Sequence, residues 1–264
     1  VISNGALLDA SYIDDLRRVG CGMLQFTFCG LTPGTHDPLC GAGTFQRTMA
    51  ALQAARRAGM KVGLTFVATR ENLAEAVPFV RFVASLELKQ FLLNRFNPGG
   101  RGLMDAPPGG AFPLLPKLRD LHAMFADVDR AAALTGVRPF AAVPMMPCMI
   151  DYKRYPHVRF SRGCAAGTDR SYFTINSWGD LRYCNHTPTV LGNILKQSFE
   201  DLANSPKVRS FRDAVPDICA PCHAWPTCRG GCRAAAEQAT GSARDPDPSL
   251  AAYIASGELK LPEG

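Results

Sequence analysis

The sequence has no uninterrupted apolar run of the roughly eighteen residues that a membrane-spanning helix needs, and its start, VISNGALLDASYIDDL, lacks the basic-then-apolar order of a secretory signal. Both absences point to a cytoplasmic protein with no membrane partner. There is no block of Lys or Arg either. The net charge of +6 is scattered through helical segments, which gives no nucleic-acid footprint. With 47% hydrophobic and 20% charged residues, the composition is that of a folded globular chain and excludes general disorder. Cysteine is missing between Cys40 and Cys148, although the chain holds ten: three precede Gly41 and seven fall between Cys148 and Cys232. Clustering of that kind, in 264 residues without a secretory signal, favours a metal site over a disulfide framework.

What is present in the first half is a repeated unit of apolar strand, turn and amphipathic helix. Strand-like runs are ALL after the opening VISNG, then MLQFTF, KVGLTFVAT, KQFLLNRF and RPFAAVPMM. Helices are expected from Ser11 to Val19, Thr44 to Ala58, Asn72 to Ala84 and Pro116 to Thr135, with Asn72 as an N-cap of the third and Gly59 closing the second. Strands alternating with helices of this length predict right-handed crossovers and a parallel sheet in an α/β fold, open or curled into a barrel. The segment NPGGRGLMDAPPGGAFPLLP, from Asn97 to Pro116, reads as a long loop at a strand's C-terminal end, where α/β proteins place ligands. Past about Met146 the pattern changes to short polar strands, turns and cysteines, so a domain boundary is placed there.

Two cysteine motifs follow. In the first, fourteen residues separate Cys164 from Gly179 and four separate Gly179 from Cys184. In the second, Cys219, Cys222, Cys228 and Cys232 are spaced by two, five and three residues. Four thiolates on loops as rich in Pro and Gly as CAPCHAWPTCRGGC can bend around a small inorganic core, because that backbone has no ladder to maintain. Packing alone does not call for such spacing in polar loops. A structural zinc site is the main rival, but paired CxxC knuckles would be expected for it. Cys21, at the opening of an apolar strand, is expected in the core, whereas Cys29 and Cys40 fit either packing or ligation. His186 and His223 each lie close to a cysteine, and a supporting or surface position is expected for both.

The run CAAGTDRSYFTINSWGDLRYCNHTPTVLGNILKQSFEDLANS, followed by CAPCHAWPTCRGGCRAAAEQATG, resembles the SPASM domain of radical S-adenosylmethionine (SAM) peptide and protein maturases. The first half is similar to the later part of the same enzymes' catalytic barrel. There SNGALL stands for a TNG-type strand end, QFTFCG for an SLDG-type strand, HDPLCGAGTFQRT for HDxxRGxGSF, and NRFNPGGRG for a later strand and loop. The resemblance implies a partial parallel (β/α) barrel of radical SAM type over residues 1–145. A small cysteine-rich SPASM domain over 146–250 and a tail over 251–264 would follow.

The resemblance also implies an activity: SAM is cleaved to a 5'-deoxyadenosyl radical that modifies a peptide or protein substrate, with electrons from a donor such as a flavodoxin or ferredoxin. Auxiliary [4Fe-4S] clusters, one or two, would then carry electrons or bind substrate. For the first cluster it implies Cys148, Cys164, Cys184 and Cys232, and for the second Cys219, Cys222 and Cys228. The usual fourth cysteine of the second would fall near Asp247 to Leu250, but none follows Cys232, which leaves Asp245, Asp247 or solvent as candidates. For SAM it implies Thr27, in place of the family's Ser, with Asn4, Arg95 and Gly99 on corresponding strand ends; a cap or turn role for each stays open.

Cys29 stands where the family has Asp, and Cys40 where it has Arg. The motif CxxxCxxC, whose thiolates hold the SAM-cleaving cluster, does not occur in these residues. The expectation is therefore a chain lacking the first two βα units, with an exposed sheet edge near Val1 to Asn4, that does not cleave SAM by itself. The alternatives from other classes are a non-catalytic iron-sulfur electron-transfer or peptide-binding module and a structural zinc protein.

Overall fold

The computed structural model describes residues 1–99, 112–168 and 170–261, so most of the expected loop between Asn97 and Pro116 lies outside the described residues. The chain forms two compact units. The first comprises Val1–Phe96, Leu114–Ala142 and Asp151–Phe160; the second takes Asn97–Pro113, Val143–Ile150 and Ser161–Gly264, so far as these are described.

The first unit is a six-stranded parallel sheet: β1 (Ile2–Ser3), β2 (Met23–Phe28), β3 (Lys61–Ala68), β4 (Gln90–Arg95), β5 (Arg138–Ala141) and β6 (Arg159–Phe160), in that spatial order. Between strands run α1 (Ala10–Arg18), α2 (Pro33–Cys40), α3 (Thr44–Arg57), α4 (Ala76–Ser85) and α5 (Leu118–Thr135). Sequential order with helical crossovers gives the partial barrel. Side chains alternate along each strand. Leu24, Phe26, Phe28, Leu64, Phe66, Phe91 and Leu93 are buried, as are Phe79, Val80, Val83, Phe125 and Val128 of the helices. Phe79 is the hub of this layer, with ring centroids 5.0 Å from Phe66 and 5.2 Å from Phe91. The other face of the sheet is polar, with Gln25 Nε2 donating to Thr65 Oγ1 at 2.7 Å.

Several expectations need correction. The first strand is Ile2–Ser3, because Gly5 at φ +74° and the bond from Leu8 N to Gly5 O turn Ala6 to Leu8 out of the sheet. Helix α2 has Pro38 inside it, which hid it from the helical pattern. Asp37 holds its end, accepting from the amides of Gly43 and Phe45 and from the Thr44 hydroxyl. Asn72 does not cap a helix with its side chain. Its amide instead ties strand ends together, donating to Cys29 O at 2.7 Å and Val67 O at 2.8 Å and accepting from Thr69 N at 2.7 Å. Cys21 is half-buried, outside the core.

The second unit carries an antiparallel sheet of β7 (Thr174–Ile175), β8 (Asp180–Arg182) and β9 (Gly192–Asn193). It continues with α6 (Phe199–Ala203), α7 (Pro206–Asp213), α8 (Trp225–Cys228), α9 (Arg233–Thr240) and α10 (Pro248–Ala255). Its core mixes Leu181, Tyr183, Leu202, Val208, Phe211, Ala234 and Ala235 with Cys164, Cys184 and Cys232. Helix α10 crosses residue 251 and buries Tyr253. Among the described residues, no helix is long and apolar enough to cross a membrane.

Asn72 is 1% exposed, so its loss strands two carbonyls and an amide without water. Asn72→Ala should cost about 3 kcal/mol in urea unfolding of the first unit; a change under about 0.5 kcal/mol would mean that the three bonds do not matter.

Candidate metal centre

Gly179, at φ +86°, turns β7 into β8, and β8 runs directly into Tyr183 and Cys184. That explains the fixed spacing from glycine to cysteine. Cys184 Sγ accepts from His186 N at 3.4 Å and lies 3.4 Å from the Tyr172 hydroxyl. Cys232 Sγ accepts from Asn97 Nδ2 at 3.2 Å. Donors aimed at sulfur are what thiolates on an iron-sulfur cluster use. Burial pushes the Cys164 thiol up, opposed in part by Arg233. Burial also holds the Tyr172 phenol above its ordinary range, and Cys184, Cys232 and Cys164 add to the effect. These three thiols and one phenol therefore face a common region.

One carboxylate fixes that group. Glu237, on α9, accepts from Tyr183 Oη at 2.6 Å and from the hydroxyls of Thr187 and Thr189, each at 2.5 Å. The loop after Cys184 is thereby pinned to the helix that starts beside Cys232. Arg233, fully buried, donates to the carbonyls of Phe211, Ala214 and Arg212, and its guanidinium lies 4.5 Å from the Phe211 ring centroid. Burial depresses it to about 10, which leaves it a cation at neutral pH beside the buried thiols.

The second group is built on consecutive turns. Cys222 N donates to Cys219 O at 3.1 Å, Trp225 N to Cys222 O at 3.0 Å and Cys228 N to Ala224 O at 2.8 Å. Arg229, Gly230 and Gly231 then all have positive φ, which reverses the chain and turns the amides of Gly230 and Gly231 toward Cys228. Burial raises Cys219 to about 11, with Cys228 and Cys222 adding to it. Cys148, although its side chain is exposed, is raised to about 12 by the protein packed around its other sides and then by Cys228, Cys219 and Cys222.

Without a metal, these raised thiols hold their protons at neutral pH, and as thiolates they would repel one another. A cationic core removes both difficulties and releases protons as it binds. The donor set therefore fits a thiolate-bound iron-sulfur cluster. Among the described residues, no three His, Cys, Asp or Glu side chains stand close enough to share one metal ion. A cuboidal cluster is wider than a single ion and takes more widely spaced thiolates. Both oxygens of Asp247, a candidate fourth ligand, already accept from backbone: Cys232 N at 2.8 Å and Ser249 N at 2.9 Å. His223 is exposed and His186 half-buried.

Of the positions expected at SAM in the first unit, Asn4 and Thr27 stand together and Arg95 does not join them. The register pairs Ser3 with Phe26, which sets Asn4 beside Thr27 at the C-terminal edge of β1 and β2. Alternation puts Arg95, buried at the end of β4, on the face of Phe91 and Leu93, opposite to that of Thr27. Gly99 belongs to the second unit. A cavity of about 1030 Å³, lined by residues such as Met23, Gln25, Gly63 and Arg138, opens at the strands' N-terminal ends, away from Asn4, Thr27 and Arg95.

Sequence reasoning missed Tyr172, Asn97 and a constellation in the first unit. Cys29 follows β2, Cys40 ends α2, and His36, fully buried, accepts from Cys29 N at 3.2 Å. Hydrogen bonding from Cys29, and then His36, lowers Cys40 to about 5, while the same contact raises Cys29 far above the ordinary thiol range. Of the two thiols, Cys40 is the one whose charged form its surroundings favour.

Residues 164–229 match the model of SPASM, an iron-sulfur cluster-binding domain. The chain is 25% identical over 260 residues to an AdoMet-dependent heme synthase of Methanosarcina barkeri, covering 93% of this chain and 72% of that protein. It is also 25% identical over 264 residues to a PqqA peptide cyclase of Gluconobacter oxydans, covering 96% and 69%. A solved structure of native anSMEcpe with bound AdoMet and Cp18Cys peptide superposes at a TM-score of 0.64 and 16% identity, covering 97% of this chain and 72% of that one. That structure supports the fold.

Cys40 should be alkylated by iodoacetamide with an apparent pKa well below the ordinary thiol range, and Cys29→Ala should move that value up by removing the donor. Peptide mapping of the native protein across pH reads this directly. An ordinary thiol profile at Cys40 in both proteins would contradict the lowering by Cys29.

Proposed function

Because the chain is related to radical SAM enzymes that carry a C-terminal SPASM domain, we propose that it serves in the modification of a peptide or protein, its cysteine-rich unit holding auxiliary [4Fe-4S] clusters. The observation that carries this reading is the placing of seven cysteines in one unit, with N–H donors aimed at the sulfurs of Cys184 and Cys232. A peptide substrate is supported by the similarity to a PqqA peptide cyclase and to the fold of anSMEcpe, solved with a bound peptide.

In such enzymes the bound cluster and SAM together supply a carbon radical that takes a hydrogen atom from substrate. The roles proposed for this chain's own residues are binding and orientation. Asn4 and Thr27 would hold SAM at the strand ends. His186 N, Asn97 and the amides after Cys228 would fix the sulfurs, and Arg233 would offset the charge of a thiolate-bound core. Electrons would come from a flavodoxin or ferredoxin. The lack of CxxxCxxC among the ten cysteines supports a narrower role for these residues alone, namely to carry electrons or hold peptide without cleaving SAM.

Anaerobic reconstitution with iron and sulfide should give a brown protein that holds both in equal number. The same protein with SAM and a strong reductant should release no 5'-deoxyadenosine. A colourless protein that keeps tight zinc and refuses iron would contradict the cluster reading, and stoichiometric 5'-deoxyadenosine would contradict the narrower role.

A further inference from the structure

Two sites of this kind take eight ligands, and the second unit offers seven cysteines. The family pattern would spend Cys148 on the group of Cys164, Cys184 and Cys232, which leaves Cys219, Cys222 and Cys228 one short. The structure places Cys148 differently. It lies in a turn held by Met146 O, which accepts from Met149 N at 2.8 Å and Ile150 N at 3.1 Å. The Met146 side chain is buried, and its Sδ lies 2.6 Å from where a Cβ on Gly231 would be. Only glycine, here at φ +81°, lets that turn lie so close to the loop after Cys228.

The same loop is gripped from a second side. Met145 N donates to Ser161 O at 3.0 Å, and a Cβ on Gly163 would fall 2.2 Å from Thr227 O and 2.8 Å from Cys228 O. A Cβ on Gly230 would lie 3.6 Å from Cys219 Sγ, so the backbone beside Cys228 touches that thiol too. Cys148 and Cys222 are exposed and Cys219 is half-buried, whereas Cys164, Cys184 and Cys232 lie together in the buried cluster of Leu181 and Tyr183, from which Cys148 is absent.

We propose that Cys148 is the fourth thiolate of the site formed by Cys219, Cys222 and Cys228. Its supply from upstream replaces the downstream cysteine that the chain lacks. Cys164, Cys184 and Cys232 then form a three-thiolate site, with the Tyr172 hydroxyl beside it and one iron open to an oxygen or nitrogen ligand. The inference rests on the iron-sulfur reading given under the proposed function.

Each site can be tested in isolation, in the full chain reconstituted anaerobically. Cys164→Ala with Cys184→Ala leaves the site of Cys219, and Cys219→Ala with Cys222→Ala leaves the other. Mild ferricyanide oxidation expels an iron that lacks a thiolate, and the remaining three-iron cluster has its own electron paramagnetic signal. With only the Cys219 site present, the chain should hold about four iron and give little of that signal, and adding Cys148→Ala should raise it at least about tenfold. With only the Cys164 site present, the signal should be strong at the outset and unchanged by Cys148→Ala. The opposite pattern would overturn the proposal while leaving the cluster reading intact. Failure of the unsubstituted chain to take up iron and sulfide would sink both. If one double variant does not fold, the other still decides.

Discussion

Thiolates gathered on one set of loops repel one another, and that repulsion is the constraint around which the second unit is arranged. Cys164, Cys184 and Cys232 sit in a core with Leu181, Tyr183 and Phe211, where burial pushes the Cys164 thiol up. The surrounding structure works against that penalty. Amide donors reach the sulfurs, Arg233 keeps a buried cation nearby, and Glu237 locks the loop of Cys184 to the helix that begins beside Cys232. These devices orient the thiols, but none supplies enough positive charge for all seven. An inorganic core that takes the thiolates as ligands would replace most of that repulsion with metal-sulfur bonds, and would tie the packing of this unit to what it binds.

Much of the first unit was legible in the sequence, because a strand buried on its helix-facing side declares itself by period. MLQFTF became β2 without a residue's error, and the helix from Thr44 was found to within one residue at its end. The misses have local causes. Asp37, which binds three partners across a turn, holds α2 against its internal proline, and no window of apolar residues reports a carboxylate of that kind. Asn72 looked like a cap, yet its amide is spent on two strand ends whose proximity exists only in the folded sheet.

The candidate site was legible as a set and not as an arrangement. The spacing of Cys219, Cys222, Cys228 and Cys232 reads as metal ligation because the ligands are local. Which thiols face each other depends on contacts such as Met146 against Gly231, far apart in the chain and visible only as the absence of a side chain. The pairing of Cys29 with Cys40 through His36 escaped notice for the same reason, since it needs a helix that the pattern did not reveal.

The account's central claim is that the second unit owes its order to what its thiols bind, whereas the first unit owes its order to apolar packing. Hydrogen exchange on the reconstituted protein, before and after iron is stripped by a chelator, tests that most directly. Amides around Leu181 to His186 and Cys228 to Ala236 should lose protection by at least about tenfold on stripping, while those of β2, β3 and β4 should not change. Equal protection of the second unit in both states would contradict the claim.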